Sequence, residues 1–255
     1  MRIEQELFWY KDKYLESEWK VKDSKHYAFH YFADSETEKD IEEIANIKEK
    51  HYEKITSFLK VQNDWIIDYY LYPSVEVKTQ LMGDDSPGNA IWKGFELVSG
   101  KPITEKFEIH VVYGDEFKFI GEHEDTHLLS LPFGLSIYLF CEGLAQFMEG
   151  NLFGTDIDML SRKLLEDEKL YPISELIDNK YWDNVEPPII YTEVGSFSRF
   201  IINNYSWDKY REIYQQTSRL KSPEENLRVF ESVLQDSVTE VEDDWKKYLV
   251  DSLGS

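Results

Sequence analysis

Residues 107–113 alternate, with Phe107, Ile109, Val111 and Tyr113 on one side and Glu108, His110 and Val112 on the other. A period of two predicts a strand. The aromatic-rich stretches 26–33 and 65–72 read the same way, the second stopped by Pro73. Residues 90–98 form a fourth candidate strand. Between the first two the period changes. Ile41, Ile44, Ala45, Ile55, Phe58 and Leu59 mark one face of a helix over 36–60. Ser35 with Glu38 three residues on is a capping-box start for it. A short helical stretch is expected over 74–82, followed by a turn cluster from Gly83 to Gly88.

Beyond the alternating strand, Gly114 and Asp115 are expected to open a helix that carries residues 123–127 and ends at Pro132, Phe133 and Gly134. A second helix is predicted over 138–149, stopped by Gly150 and Asn151. After residue 155 the pattern is mostly helical, broken by a loop from Asp183 to Pro188. The fold class this predicts is α+β. Residues 1–24 form an N-terminal extension, 25–135 a mixed α/β lobe with a small, mainly antiparallel-edged sheet, and 136–253 a mainly helical lobe.

The composition is that of a folded protein, with 42% hydrophobic and 15% aromatic residues over 255 positions. A formal net charge of −22 disfavours nucleic acid and anionic membrane surfaces as partners, because both are densely negative. The single cysteine, Cys141, leaves no intrachain disulfide. The first residues lack a charged-then-apolar signal pattern, and no apolar run approaches the roughly 20 residues of a membrane helix. The expected location is therefore cytoplasmic.

The candidate chemistry lies in His123-Glu124-Asp125-Thr126-His127, an H-E-x-x-H stretch. On a helix, residues four apart share a face, so His123 and His127 can bind one zinc ion while Glu124 acts on the water it activates. Fourteen residues after His127 comes Cys141, followed by Glu142, whose carboxylate is the candidate third ligand. Two imidazoles and one carboxylate leave the fourth position of a tetrahedral zinc open, as hydrolysis requires.

His123-Glu124-x-x-His127 followed by Glu142-Gly143-Leu144-Ala145-Gln146-Phe147 resembles the gluzincin metallopeptidases, and within them the bacterial peptidase MA-like domains. Residues 191–201 and 204–211 are similar to the helix pair those domains place after the metal site, and 237–249 to their last helix. The resemblance implies a zincin-like fold, one zinc per chain held by His123, His127 and Glu142, Glu124 as general base and acid, and a peptide or protein substrate. It also implies a tyrosine or histidine that hydrogen-bonds the developing oxyanion. Tyr191 is the candidate, as the residue that begins the helix carrying Gly195, Ser196 and Phe197. A packing role at a helix start is the other reading of Tyr191.

The chain departs from the family in three places, one being a His127-to-Glu142 spacing shorter than in aminopeptidase N. No glycine-and-glutamate substrate anchor is visible near 90–113, and Gln146 stands where thermolysin-like enzymes have an aspartate that supports a zinc-binding histidine. Three functions stay open: a zinc peptidase, a binding or regulatory protein that retains the fold and zinc without turnover, and a purely structural zinc role, which the open coordination position disfavours. Among the remaining residues, His110 is expected to face solvent or a substrate cleft. His26, His30 and His51 are expected to be structural, Cys141 a buried small residue, and Trp182, Trp207 and Trp245 core anchors. Glu149 reads as a solvated helix end or as support for the metal site, and the acidic run Glu36 to Glu43 as the wet face of its helix.

Overall fold

A computed structural model describes residues 17–93, 96–98, 101–103, 106–114 and 117–251. The expectations for residues 1–16 and for Asp115 fall outside them. The chain divides into two compact units, 1–129 and 130–255. The architecture is mixed α/β.

The first unit is built on a five-stranded sheet of order β1-β2-β3-β7-β4. Its strands are β1 (Lys20–Asp23), β2 (Tyr27–Tyr31), β3 (Ile67–Tyr72), β4 (Gly88–Lys93) and β7 (Lys106–Val112). The central strands β2, β3 and β7 are parallel, and both edges, β1 and β4, are antiparallel to their neighbours. β1 lies in the stretch that the pattern left as an extension. The expected strand over 90–98 is in fact β4 and a separate strand, β5 (Glu96–Val98), which pairs with β6 (Lys101–Ile103).

Register lines the apolar residues of the central strands into rows: Tyr27, Ile67 and Phe107; Phe29, Tyr69 and Ile109; Tyr31, Leu71 and Val111. Almost all are fully buried, and each such side chain contributes about 1.5–3 kcal/mol. Helix α1 (Glu36–Leu59) covers this face with a stripe of Ile41, Ile44, Ala45, Lys48, Tyr52, Ile55 and Leu59. Ser35 caps it by accepting from the Glu38 N–H, while the Glu38 carboxylate accepts from the Asp34 N–H. On the other face Tyr70 and Tyr72 pack with Ile91 and with Met82 of α2 (Val75–Met82).

That second face also carries a cross-strand stack of His30, Tyr70 and His110, with ring centroids 4.3 and 4.7 Å apart. His110 is fully buried there, where the alternation predicted a solvent or cleft position. Residues on both faces of β7 are buried, so neither face is open to solvent. The Tyr72 hydroxyl and the Glu108 carboxylate meet the two ring nitrogens of His110. His26, His30 and His51 pair with Glu49, Asp68 and Glu122 respectively, which are structural roles.

The second unit is helical, apart from the two-residue strands β8 (Asn151–Leu152) and β9 (Thr155–Asp156). Helix α4 (Tyr138–Glu149) matches its predicted bounds, and Gly150 ends it in the left-handed conformation. It packs on α7 (Pro187–Asn204), and α5 (Ile157–Glu166), the short α6 (Ile173–Leu176), α8 (Trp207–Gln216), α9 (Pro223–Leu234) and α10 (Val238–Asp251) are the unit's other α-helices after α4 among the described residues. A 3-10 turn, Asn179–Asn184, occupies part of the expected loop at 183–188. Phe140, Phe197, Tyr210, Phe230 and Trp245 form a core in which the Trp245 indole N–H donates to the Ser196 hydroxyl. Trp182 and Trp207 are only half-buried, so Trp245 alone of the three is a full core anchor.

Glu193 of α7 is a buried carboxyl inside this unit. One oxygen accepts from the Tyr171 N–H, and the other has no hydrogen-bond partner among the described residues. Burial pushes its pKa well above the usual carboxylate range against the Tyr171 hydrogen bond, and Glu242 adds to the rise. A raised folded pKa gives stability that is present below the unfolded value and lost as pH climbs toward the folded one. Glu193→Gln is therefore expected to raise the melting temperature at pH 7 and to have little effect at pH 4. A variant that loses stability equally at both pH values contradicts a neutral Glu193.

Candidate metal centre

Helix α3 (His123–Leu129) begins at the first histidine itself, not at Gly114. Before it, Lys118 makes a single antiparallel bridge with Tyr113, and the Phe119 N–H donates to the Val112 carbonyl. The helix ends at Leu129, and Leu131–Phe133 make a 3-10 turn. His123 and His127 share one face, as their spacing requires, with their Nε2 atoms 3.2 Å apart. Two ligands at zinc–nitrogen distance on a tetrahedral ion stand about 3.3 Å apart, so the pair matches one edge of such a site.

The opposite face of α3 is tied to α1. Asp125 and Lys48 are both fully buried and form an ion pair. The Lys48 ammonium also donates to the Gly121 carbonyl at 2.8 Å, and the Tyr27 hydroxyl donates to the second Asp125 oxygen. Lys48 lies 4.9 Å from the centroid of the Tyr69 ring. Six residues further along α1, Lys54 pairs with Glu122 at 2.6 Å. Burial, and secondarily Lys48, hold the His51 pKa below its ordinary value, which keeps that imidazole neutral near pH 7. Tyr27 is pushed well above the usual phenol range by burial and then by Asp125, so it remains a donor.

These contacts orient α3 about its axis. Asp125 is two residues from each histidine, about 200° round the helix, so fastening it inward turns the imidazoles outward. Glu124 is almost buried, and its carboxylate lies over the start of β4. A Cβ at Gly88 would stand 3.2 Å from that carboxylate and 2.7 Å from the Phe119 ring. Gly88 therefore leaves room for the Glu124 side chain against the edge strand.

Glu142 sits in the first half of α4, in the second unit. Its neighbour Gly143 allows α7 to approach closely, because a Cβ there would lie 2.2 Å from the Ser198 hydroxyl oxygen and 2.9 Å from the Val194 carbonyl. Gly195 of α7 does the same in return, with Gln146 carbons 2.6 and 2.9 Å from its own would-be Cβ. Gln146 meets Gly195, and the Gly150 carbonyl accepts from Arg199 at 3.0 Å. Glu142 and Tyr191 are both half-buried. Tyr191 lies in the second turn of α7, which starts at Pro187, and so does not begin the helix.

One ligand atom from each of His123, His127 and Glu142 lies within 4.8 Å of the others, and all three residues are half-buried. The donor set, two imidazole nitrogens and a carboxylate oxygen, suits a divalent transition metal. Gln146 does not stand in for a supporting aspartate by donation to this group: its amide nitrogen donates to the Asn151 carbonyl at 2.7 Å. Cys141 is buried, its thiol pKa raised by burial, with Sγ 3.4 Å from the Ser136 carbonyl oxygen and 3.5 Å from the Tyr214 hydroxyl. No model of a known protein family matches the chain, and no curated protein matches it.

Sequence reasoning missed Lys48, Tyr27 and Asp125. A signal was present: Lys48 continues the apolar stripe of α1 from Ile44, and Asp125 occupies the inward side of an H-E-x-x-H helix. Opposite charges on two buried faces are expected to meet. Lys48→Met and Asp125→Leu are each expected to cost about 3–5 kcal/mol in chemical denaturation, and the double variant less than the sum. Additive or negligible single effects contradict a coupled buried pair.

Proposed function

We propose that the chain is a zinc-dependent metallohydrolase of zincin-like fold, acting as a peptidase, with one zinc ion held by His123, His127 and Glu142. The observation that carries this reading is the meeting of two imidazoles and one carboxylate within 4.8 Å, with Glu124 beside the pair on the same helix. The H-E-x-x-H and Glu142-Gly143-Leu144-Ala145 resemblance to gluzincins supports it, as does the close match of the Nε2 pair to a zinc coordination edge.

His123 and His127 bind the ion as neutral imidazoles, and Glu142 adds one negative charge, so the site keeps a net positive charge for an incoming carbonyl. When bound, zinc supplies Lewis acidity that polarises the carbonyl and lowers the pKa of water. Glu124 takes a proton from the attacking water and returns it to the leaving amine. Gly88 keeps the space in which its carboxylate turns. Tyr191, the tyrosine that the resemblance suggests, donates its phenol hydrogen to the carbonyl oxygen as charge develops there.

The retained-fold binding protein is the second reading. Gln146 favours it, because a neutral amide in the place of a carboxylate lends a histidine less basicity. One experiment separates the two. Metal analysis of the purified protein is expected to give about one zinc per chain, and Glu124→Gln is expected to keep that zinc while lowering peptide hydrolysis by roughly 1,000-fold. Zinc without hydrolysis of a broad peptide library selects the binding protein. Full activity of the Glu124→Gln variant removes Glu124 from its role.

A further inference from the structure

On α4 the half-buried positions include Tyr138, Glu142 and Glu149. At 100° per residue these three fall within 40° of one another, so they share one face of the helix. Tyr138 is one turn before Glu142 on that face. Its backbone N–H donates to the Asn179 side chain at 2.8 Å, and its ring packs against Trp182 at 5.5 Å. The guanidinium carbon of Arg219 lies 4.0 Å from the centroid of the same ring.

Arg219 comes from the segment between α8 and α9. It is held by three contacts: the ring of Tyr138, donation from its Nε to the Ser136 carbonyl at 3.0 Å, and a hydrogen bond to the Cys141 thiol. Its side chain is otherwise exposed, and it forms no ion pair among the described residues. A guanidinium has five N–H donors, so one held in this way keeps outer N–H groups for a ligand. Two parallel N–H donors match the two oxygens of a carboxylate. In a chain of net charge −22, an anionic group is repelled by the general field and needs such a local cation to be held.

We infer that Arg219, on the platform of Tyr138 and Trp182, is a substrate-carboxylate site one helical turn from Glu142. The inference rests on the peptidase reading and specifies its substrate class: peptides with a carboxylate close to the bond that is cut. That carboxylate belongs either to the chain terminus or to an aspartate or glutamate side chain; the guanidinium reads both alike.

The test uses the full chain and three hexapeptide pools: free C-terminus without acidic residues, the same pool amidated, and an amidated pool with one glutamate. Binding is followed by calorimetry with and without added zinc. At least one carboxylate-bearing pool is expected to bind about tenfold or more tightly than the neutral amide pool. Whichever pool does so identifies the source. Arg219→Gln is expected to bring the ratio to about one with an unchanged melting temperature, and Arg219→Lys to restore part of it. Equal binding of all pools, no binding of any pool, or a preference that survives Arg219→Gln overturns the inference. Because the ratio is also read without zinc, it can hold where the chain takes up no metal, and the peptidase reading then fails alone.

Discussion

A charge buried beneath the H-E-x-x-H helix is the constraint on which the candidate centre depends. Asp125 and Lys48 have no access to solvent, and the desolvation of both ions must be offset by their mutual attraction and by hydrogen bonds to Tyr27 and Gly121. Such a pair tolerates little rotation, because turning α3 by a fraction of a turn would strand one charge in an apolar interior. The imidazoles lie on the other side of the same short helix. Their orientation is therefore set from behind, by α1 and β2. A seven-residue helix has little rigidity of its own, so this external fastening takes the place that length would otherwise fill.

The second unit controls position by a different device. Gly143 and Gly195 let α4 and α7 approach closely, and the contact fixes their relative register. Glu142 is adjacent to one of these glycines, and Tyr191 is a turn before the other. The glycine in Glu142-Gly143-Leu144-Ala145 thus has a packing reason independent of any resemblance. The same reason explains Gly195 in the Tyr191 to Ile201 stretch. Polar candidates and small packing residues occur side by side in the chain because a precisely placed side chain requires a backbone that cannot shift.

Much of this was readable from periodicity. The bounds of α1, α2 and α4 and the strand stopped by Pro73 follow from apolar spacing, caps and breakers, which are local signals. His110 shows where local reading stops. Alternation separates the two faces of a strand, but it does not say whether the second face is covered; here β7 is interior and the face is packed. The start of α3 at His123 was missed for a similar reason. The turn after β7 is held by backbone hydrogen bonds between Val112 and Phe119 and between Gly114 and Phe117, which leave no periodic trace. Trp182 and Trp207 were read as core by size alone, and they are half-buried. Lys48 and Asp125 were legible only as a pair, since each by itself looks like a helix-surface charge.

The most direct measurement of the central claim is zinc K-edge X-ray absorption on the zinc-loaded protein. A site of His123, His127 and Glu142 predicts a first shell of nitrogen and oxygen only, at about 2.0–2.1 Å, with the multiple-scattering pattern of two imidazoles. Cys141 lies beside Glu142 in the chain, so the alternative is chemically distinct. A sulfur scatterer near 2.3 Å, or a shell without two imidazoles, would contradict the account.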